Sequence, residues 1–280
     1  MPVIILLSAL FFSGCFNSGS SYNKNFRDDN FWPRKTPSVQ GQDFISKIRD
    51  LDPPQREKEI FEQVVNGNVP SFLKQFEKVH LSAKLNSGKI AKGIIYVTPD
   101  YVSVGTDQDY VRVPMTPATA KKIADSLHCL LPTAKIVDGI YRQAETKLSP
   151  KPMTPGPEMT SIPYFAEHNR MINAQLKKVN DDGLIAGHKK DIVISSRLRE
   201  KPGRVAIYGW HRKNGEPIQP LSTVHGSKYV DYSHGVRLIW SYMKVNGQMR
   251  KVSDVLADTL YSSLISYEGP IEKAADLLIE

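Results

Sequence analysis

Cysteine is nearly absent from this chain: two residues, Cys15 and Cys129, stand among 280. That excludes a disulfide-rich scaffold, so apolar burial has to hold the fold together. After residue 15 no apolar run is long enough to cross a bilayer as a helix. No repeat with a period between about 20 and 50 residues is present, which sets solenoid and propeller architectures aside. The net charge is +8, but the basic residues are spread along the chain and form no tract. Nucleic acid is therefore not expected as a partner. What the chain does have is 40% hydrophobic residues, enough for a substantial core, and seven histidines, three of which crowd into positions 205–238.

The apolar run that does exist lies at the start. Met1 to Cys15 is too short to span a bilayer and closes on small residues, the pattern of an export signal. Its Phe12-Ser13-Gly14-Cys15 end resembles the lipobox of bacterial lipoproteins, and the polar segment from Asn17 to Asn25 resembles the tether behind it. The resemblance implies a lipid on Cys15 and residues 1–15 as a signal peptide. It also implies a place in the bacterial cell envelope, anchored to a membrane and facing the periplasm or exterior. Cys129 would then be the only thiol of the mature chain.

Residues 16–42, rich in Ser, Asn, Gly and charge, predict a flexible tether ending near Trp32-Pro33. Asp52-Pro53-Pro54 opens a helix whose Ile60, Phe61, Val64 and Val65 share one face until Asn66-Gly67-Asn68 stops it. The runs Val79 to Leu85, Lys92 to Thr98 and Tyr101 to Val104 are separated by turn residues and predict an antiparallel meander. Thr116-Pro117 and Leu131-Pro132-Thr133 each begin a helix. Five prolines within residues 148–163 force an extended crossover. It divides a helical and meander half (43–147) from a sheet-containing half (164–280), unless 43–280 is one domain. In the second half a helix precedes strands expected at Asp191 to Ser195, Arg204 to Tyr208, Pro217 to Leu221 and Val236 to Tyr242. N-terminal helices with a small meander, followed by helices and a mostly antiparallel sheet, make an α+β fold.

The second half also holds the candidate site. His211, His225 and His234 sit near the ends of strand-like runs, with Asp231 between the last two, so neighbouring strands can gather them into a cleft. Nucleophilic hydrolysis needs a side chain activated by a base that a third group orients. Cys129 as nucleophile, His234 or His225 as base and Asp231 as orienting group supply one of each. Thr133, four residues beyond Cys129, marks a helix start whose positive end favours thiolate. His188, Lys189, Trp210, His211, Tyr232 and Ser233 are candidate substrate contacts, and Gly235 is placed to let the backbone approach a ligand.

No cofactor is required by that reading. The alternative is zinc held by His211, His225, Asp231 and His234, since imidazole and carboxylate are the ligands zinc prefers. A third reading, from a different class, is a non-enzymatic binder that offers Trp210 and the Asp231 to His234 surface to a glycan or peptide.

The run from Arg204 to Tyr208, with the Asn214-Gly215 turn and the strand after it, resembles the Gly-Ile-Tyr hairpin of the NlpC/P60 cell-wall peptidases. That resemblance covers about forty residues. It implies a papain-like core, a cysteine on a helix, a histidine on the sheet and a wall polymer or peptide as substrate. Asp109-Tyr-Val-Arg-Val-Pro, Gly187-His-Lys-Lys-Asp, Ile207-Tyr-Gly-Trp-His and Asp231-Tyr-Ser-His-Gly resemble segments of a bacterial protein family without an assigned activity. The likeness implies a shared fold and no mechanism. The reaction expected is hydrolysis of an amide or related bond.

Overall fold

Residues 32–33, 39–179 and 183–278 are described by the structure, a computed structural model. The signal-like segment, Cys15 and most of the proposed tether lie outside the described residues, as do Asn180, Asp181 and Asp182 of an expected turn.

In chain order the first elements are helices α1 (Gly41–Ile48) and α2 (Pro53–Val65), then strands β1 (Glu77–Lys84), β2 (Ile90–Val97), β3 (Ser103–Gly105) and β4 (Tyr110–Arg112). Helix α3 (Pro117–Ser126), strand β5 (Cys129–Leu130), helix α4 (Ala134–Gln143) and strand β6 (Thr146–Lys147) lead to the proline-rich crossover. Beyond it come α5 (Ile162–Leu176), β7 (Ile185–Ala186), β8 (Lys190–Ile192), β9 (Ile207–His211), β10 (Pro217–Ser222) and β11 (His234–Gly235). The chain closes with β12 (Ile239–Trp240), β13 (Tyr242–Val245), β14 (Gln248–Lys251) and α6 (Val252–Ala257).

Helix starts follow the chemistry of their first residues. Asp52 accepts from the Gln55 amide at 2.8 Å and Thr133 from the Ile136 amide at 3.3 Å, each satisfying a donor that a helix start leaves unpaired. Ile60 and Val64 of α2 are fully buried, as their spacing predicts. On α4, Gly139 lets the helix lie close on β1, because a Cβ there would come within 2.7 Å of Leu81 Cδ2.

The largest sheet has β2 at its heart. β1 pairs along one edge of β2, while β13 and β12 pair along the other, with β14 beyond β13 and β5 beyond β12, all antiparallel. Strands from both sides of the crossover thus share one sheet, and one apolar core runs through Phe44, Ile95, Ile123, Phe165, Ile207 and Leu238. The crossover is therefore a connection within one core rather than a boundary between separately folded halves. A second sheet, ordered β10-β9-β8-β11, is antiparallel except for its parallel β8–β11 edge. Helices with mostly antiparallel sheets make the fold α+β.

Two expectations are corrected. The run from Tyr101 to Val104 does not extend the meander: β3 pairs with β4 in a separate two-stranded sheet, leaving that edge of β2 to strands from the distant C-terminal third. The tether assigned to 16–42 contains core, since the Trp32 indole is buried and donates to the Val64 carbonyl at 3.0 Å, and Gly41 already begins α1. Among the described residues no helix is long and apolar enough to cross a membrane.

Candidate functional site

The parallel register of β8 and β11 sets Lys190 opposite His234 and Asp191 opposite Gly235. Side chains alternate along a strand, so Lys190 falls on the face of His234, whereas Lys189 and Asp191 turn the other way. Just before β11 the chain folds back on Asp231, whose Oδ1 accepts from the Ser233 amide at 2.7 Å and from the Ser233 hydroxyl. That local loop is an Asx-type turn, the conformation a short acidic side chain stabilises.

Asp231 Oδ2 lies 3.8 Å from His234 Nε2 and 3.8 Å from Lys190 Nζ. Burial, and then the Asp231 carboxylate, raise the pKa of the Tyr229 hydroxyl. His225 stacks on Tyr229 with ring centroids 4.3 Å apart, and Tyr229 meets the His234 ring edge-on at 6.0 Å. Asp231 and His234 are each 1% exposed, while Lys190, His225 and Tyr229 are half-buried and form the rim. Neither His234 ring nitrogen has a hydrogen-bond partner among the described residues. Burial lowers the imidazole pKa to about 4, so the ring is neutral at pH 7. Burial alone would raise Asp231, but His234, Lys190 and the Ser233 bonds reverse this and hold it below the usual carboxylate range. The result is an ionised carboxylate beside a neutral imidazole.

Behind that pair lies a buried aromatic layer. Lys189 is fully buried, and its ammonium donates to the Tyr232 carbonyl at 2.7 Å. Desolvation lowers its pKa to about 7. Tyr232 packs edge-on against His168 at 4.9 Å and Trp210 at 6.4 Å, and its hydroxyl accepts from the Met153 amide of the crossover. Trp210 is buried with a backbone φ of +56°, which a bulky residue seldom adopts, and Lys190 Nζ sits 5.1 Å above its ring.

Two further polar clusters flank the sheet. Asp100 receives Arg112 Nε at 2.8 Å and lies 3.0 Å from His188 Nε2, all three without exposed surface. Asp138 of α4 lies 3.0 Å from His211 Nε2 and accepts the Tyr208 and Tyr267 hydroxyls at 2.9 and 2.8 Å, with His211 stacked on Tyr141.

Of the residues expected to form the site, His225, Asp231, Ser233 and His234 come together. Lys189, Trp210 and Tyr232 line the layer behind them. His188 turns instead to Asp100, and His211 to Asp138. The four residues proposed for zinc are thereby divided between two clusters, and among the described residues no group of three or more His, Cys, Asp or Glu side chains is placed to hold a metal ion. Cys129 is also elsewhere. It lies in β5, paired with Trp240, buried in the core with its thiol on the Leu127 carbonyl at 3.2 Å. Burial pushes this thiol far above its ordinary pKa, the reverse of the activation expected from the α4 N-terminus. Gly235 does admit a close approach, but to protein: a Cβ there would lie 2.6 Å from the Tyr101 ring and 2.9 Å from Lys189 Cβ.

Tyr229 of the rim escaped the sequence reading, and Lys190 entered it only as one of three basic side chains in Gly187-His-Lys-Lys-Asp that could grip a carboxylate or phosphate. Nothing local ties Lys190 to Asp231, because only the β8–β11 register brings them together. Asp138 lies on a helix assigned by its apolar face, and no spacing rule ties it to His211, 73 residues on. Comparison with protein-family models, curated proteins and solved structures gave no match.

Proposed function

We propose that the chain is an exported, lipid-anchored cell-envelope hydrolase that cleaves an amide or related bond of a wall polymer or peptide, using the His234–Asp231 pair to activate water. The observation that supports this most is the neutral His234 ring, whose nitrogens have no hydrogen-bond partner among the described residues, held 3.8 Å from an ionised Asp231 beside a half-buried rim. A general base has to be unprotonated at working pH, which His234 is, and the Asp231 carboxylate 3.8 Å away favours the imidazolium that forms.

In such a reaction His234 takes a proton from water as the oxygen bonds to the carbonyl carbon. It returns that proton to the nitrogen as the C–N bond breaks, so that a carboxylic acid and an amine leave. Asp231 stabilises the transient imidazolium, and Lys190 is near enough to Asp231 to hold that carboxylate in place. Cys129 has no part in this scheme, which replaces the thiol with water.

The test is release of new amino groups from purified wall polymer by the full chain. His234→Gln and Asp231→Asn should each lower the rate by about 10²-fold or more, the scale of a lost acid–base group, while Cys129→Ala retains it. Loss of activity in Cys129→Ala, or full activity in His234→Gln, overturns the mechanism. Retention on wall polymer without any fragment released replaces it with a binding role. The anchoring reading has its own check: incorporation of labelled fatty acid in a bacterial host, abolished by Cys15→Ala.

A further inference from the structure

A cleft of about 210 Å³ opens between the segment from Leu198 to Arg204 and the C-terminal turn from Asp276 to Leu278. Pro117, Leu198, Pro202, Leu277 and Leu278 make part of its lining apolar. Among the described residues its lining also carries Arg199, Lys201 and Arg204 against the one carboxylate of Asp276, an excess of two positive charges. Both arginines are positioned by the protein: Arg199 donates to the Glu272 carbonyl and Arg204 to the Val224 carbonyl at 2.6 Å. A guanidinium has five N–H donors in a fixed fork, so one carbonyl leaves the fork able to take an oxyanion.

The cleft also adjoins the rim of the candidate site. Ser227, part of its lining, donates its amide to the Gly203 carbonyl, and the Val205 amide donates to the His225 carbonyl, so one short ladder carries both cleft wall and rim histidine. Arg204 and Gly226 form a β-bridge within that ladder.

We propose that this cleft binds the chain end of the substrate, a free carboxylate carried next to a small or medium aliphatic side chain. The apolar lining residues take the side chain and the basic ones take the carboxylate. This rests on the hydrolase reading for the identity of the ligand as substrate, but not for the binding itself. A basic lining alone would favour any anion, and an apolar lining alone any hydrophobe; the two together select a molecule that has both.

Calorimetric titration of the full chain with N-acetyl-leucine, N-acetyl-leucinamide and inorganic phosphate tests it. N-acetyl-leucine should bind, and the uncharged amide should bind about tenfold more weakly, the cost of one charge-assisted contact. Phosphate should also bind more weakly than N-acetyl-leucine. The Lys201→Gln/Arg204→Gln double variant should lose the preference for carboxylate, and His234→Gln should keep it. Equal binding of acid and amide overturns the proposal, as does binding of phosphate as tight as that of N-acetyl-leucine, or binding of none of the three. Preference for the acid in a chain that releases no fragments leaves this site standing and removes the hydrolase reading instead.

Discussion

His188 Nε2 and Asp100 Oδ1 lie 3.0 Å apart with no surface exposed on either side chain, and the same carboxylate holds Arg112. Burial alone would raise Asp100, yet Arg112 and His188 hold it well below the usual range, so it remains ionised. Arg112 goes on to bond Asn169 and Asn173 of α5, tying that helix to β4. A buried pair of this kind costs most when one partner is removed, because the other is left charged and unpaired.

Asp100→Asn should therefore lower unfolding stability by about 3–5 kcal/mol, the range for breaking a buried ion pair. Urea denaturation measures it, and a change below about 1 kcal/mol would show that Arg112 finds other partners.

Stability should fall as pH drops from 7 to 4. Burial lowers His188 and His234 to about 4 and His168 to about 2, each from 6.5. The unfolded chain then binds protons that the folded chain refuses, so stability is full above about pH 6.5 and declines below it. Asp191 opposes this: burial raises it to about 6, so the fold keeps a proton that the unfolded chain loses above about pH 4. Three histidines outweigh one aspartate, and the melting temperature should drop between pH 7 and 4. Lys189, lowered by burial to about 7, adds stability as pH rises from 7 toward 10.5. A melting temperature flat between pH 4 and 7 would contradict the burial of these rings.

If His234 is the base, the acid limb of the kcat/KM profile should lie near pH 4 rather than near 6.5, since burial sets its pKa there. Asp231→Asn should move that limb further down, because the carboxylate is what favours imidazolium. A limb at 6.5 that ignores Asp231→Asn would point to a different base.

Cys129 should be inert while the chain is folded. In a Cys15→Ser background, a thiol reagent at pH 8 should leave the native protein unmodified and titrate one thiol in denaturant, because burial disfavours the thiolate. Rapid modification of the native chain would place this residue on an accessible surface.

Trp32→Ala should cost about 3–5 kcal/mol, as large core truncations do, with part of the loss from the Val64 carbonyl left without its donor. Calorimetric melting checks it. A shift under about 1 °C would return Trp32 to the tether, because a loss of that size moves the melting temperature by far more.

Much of the fold is local information. Asp52-Pro53, Thr116-Pro117 and Leu131-Pro132-Thr133 begin helices at the positions that capping chemistry requires, and the β1–β2 hairpin follows from two strand runs around Asn86 to Lys89. The gathering of His225, Asp231 and His234 was also within reach, because ten residues and one Asx turn connect them. Pairings between distant strands were not. The edge of β2 could have taken β3, but it took β12 and β13 from about 140 residues on, since any strand with a suitable apolar face can fill such an edge.

The sequence by itself determined helix starts, the hairpin, the α+β class and the acid–imidazole loop, all of which depend on residues within a few turns of one another. Tertiary structure alone decided that His211 serves Asp138, that His188 serves Asp100, that Cys129 is core, and that Lys190 belongs at the rim. Whether an imidazole acts as base or as buried partner depends on which carboxylate the packing brings within about 3–4 Å, and no property of the histidine's own segment encodes that distance.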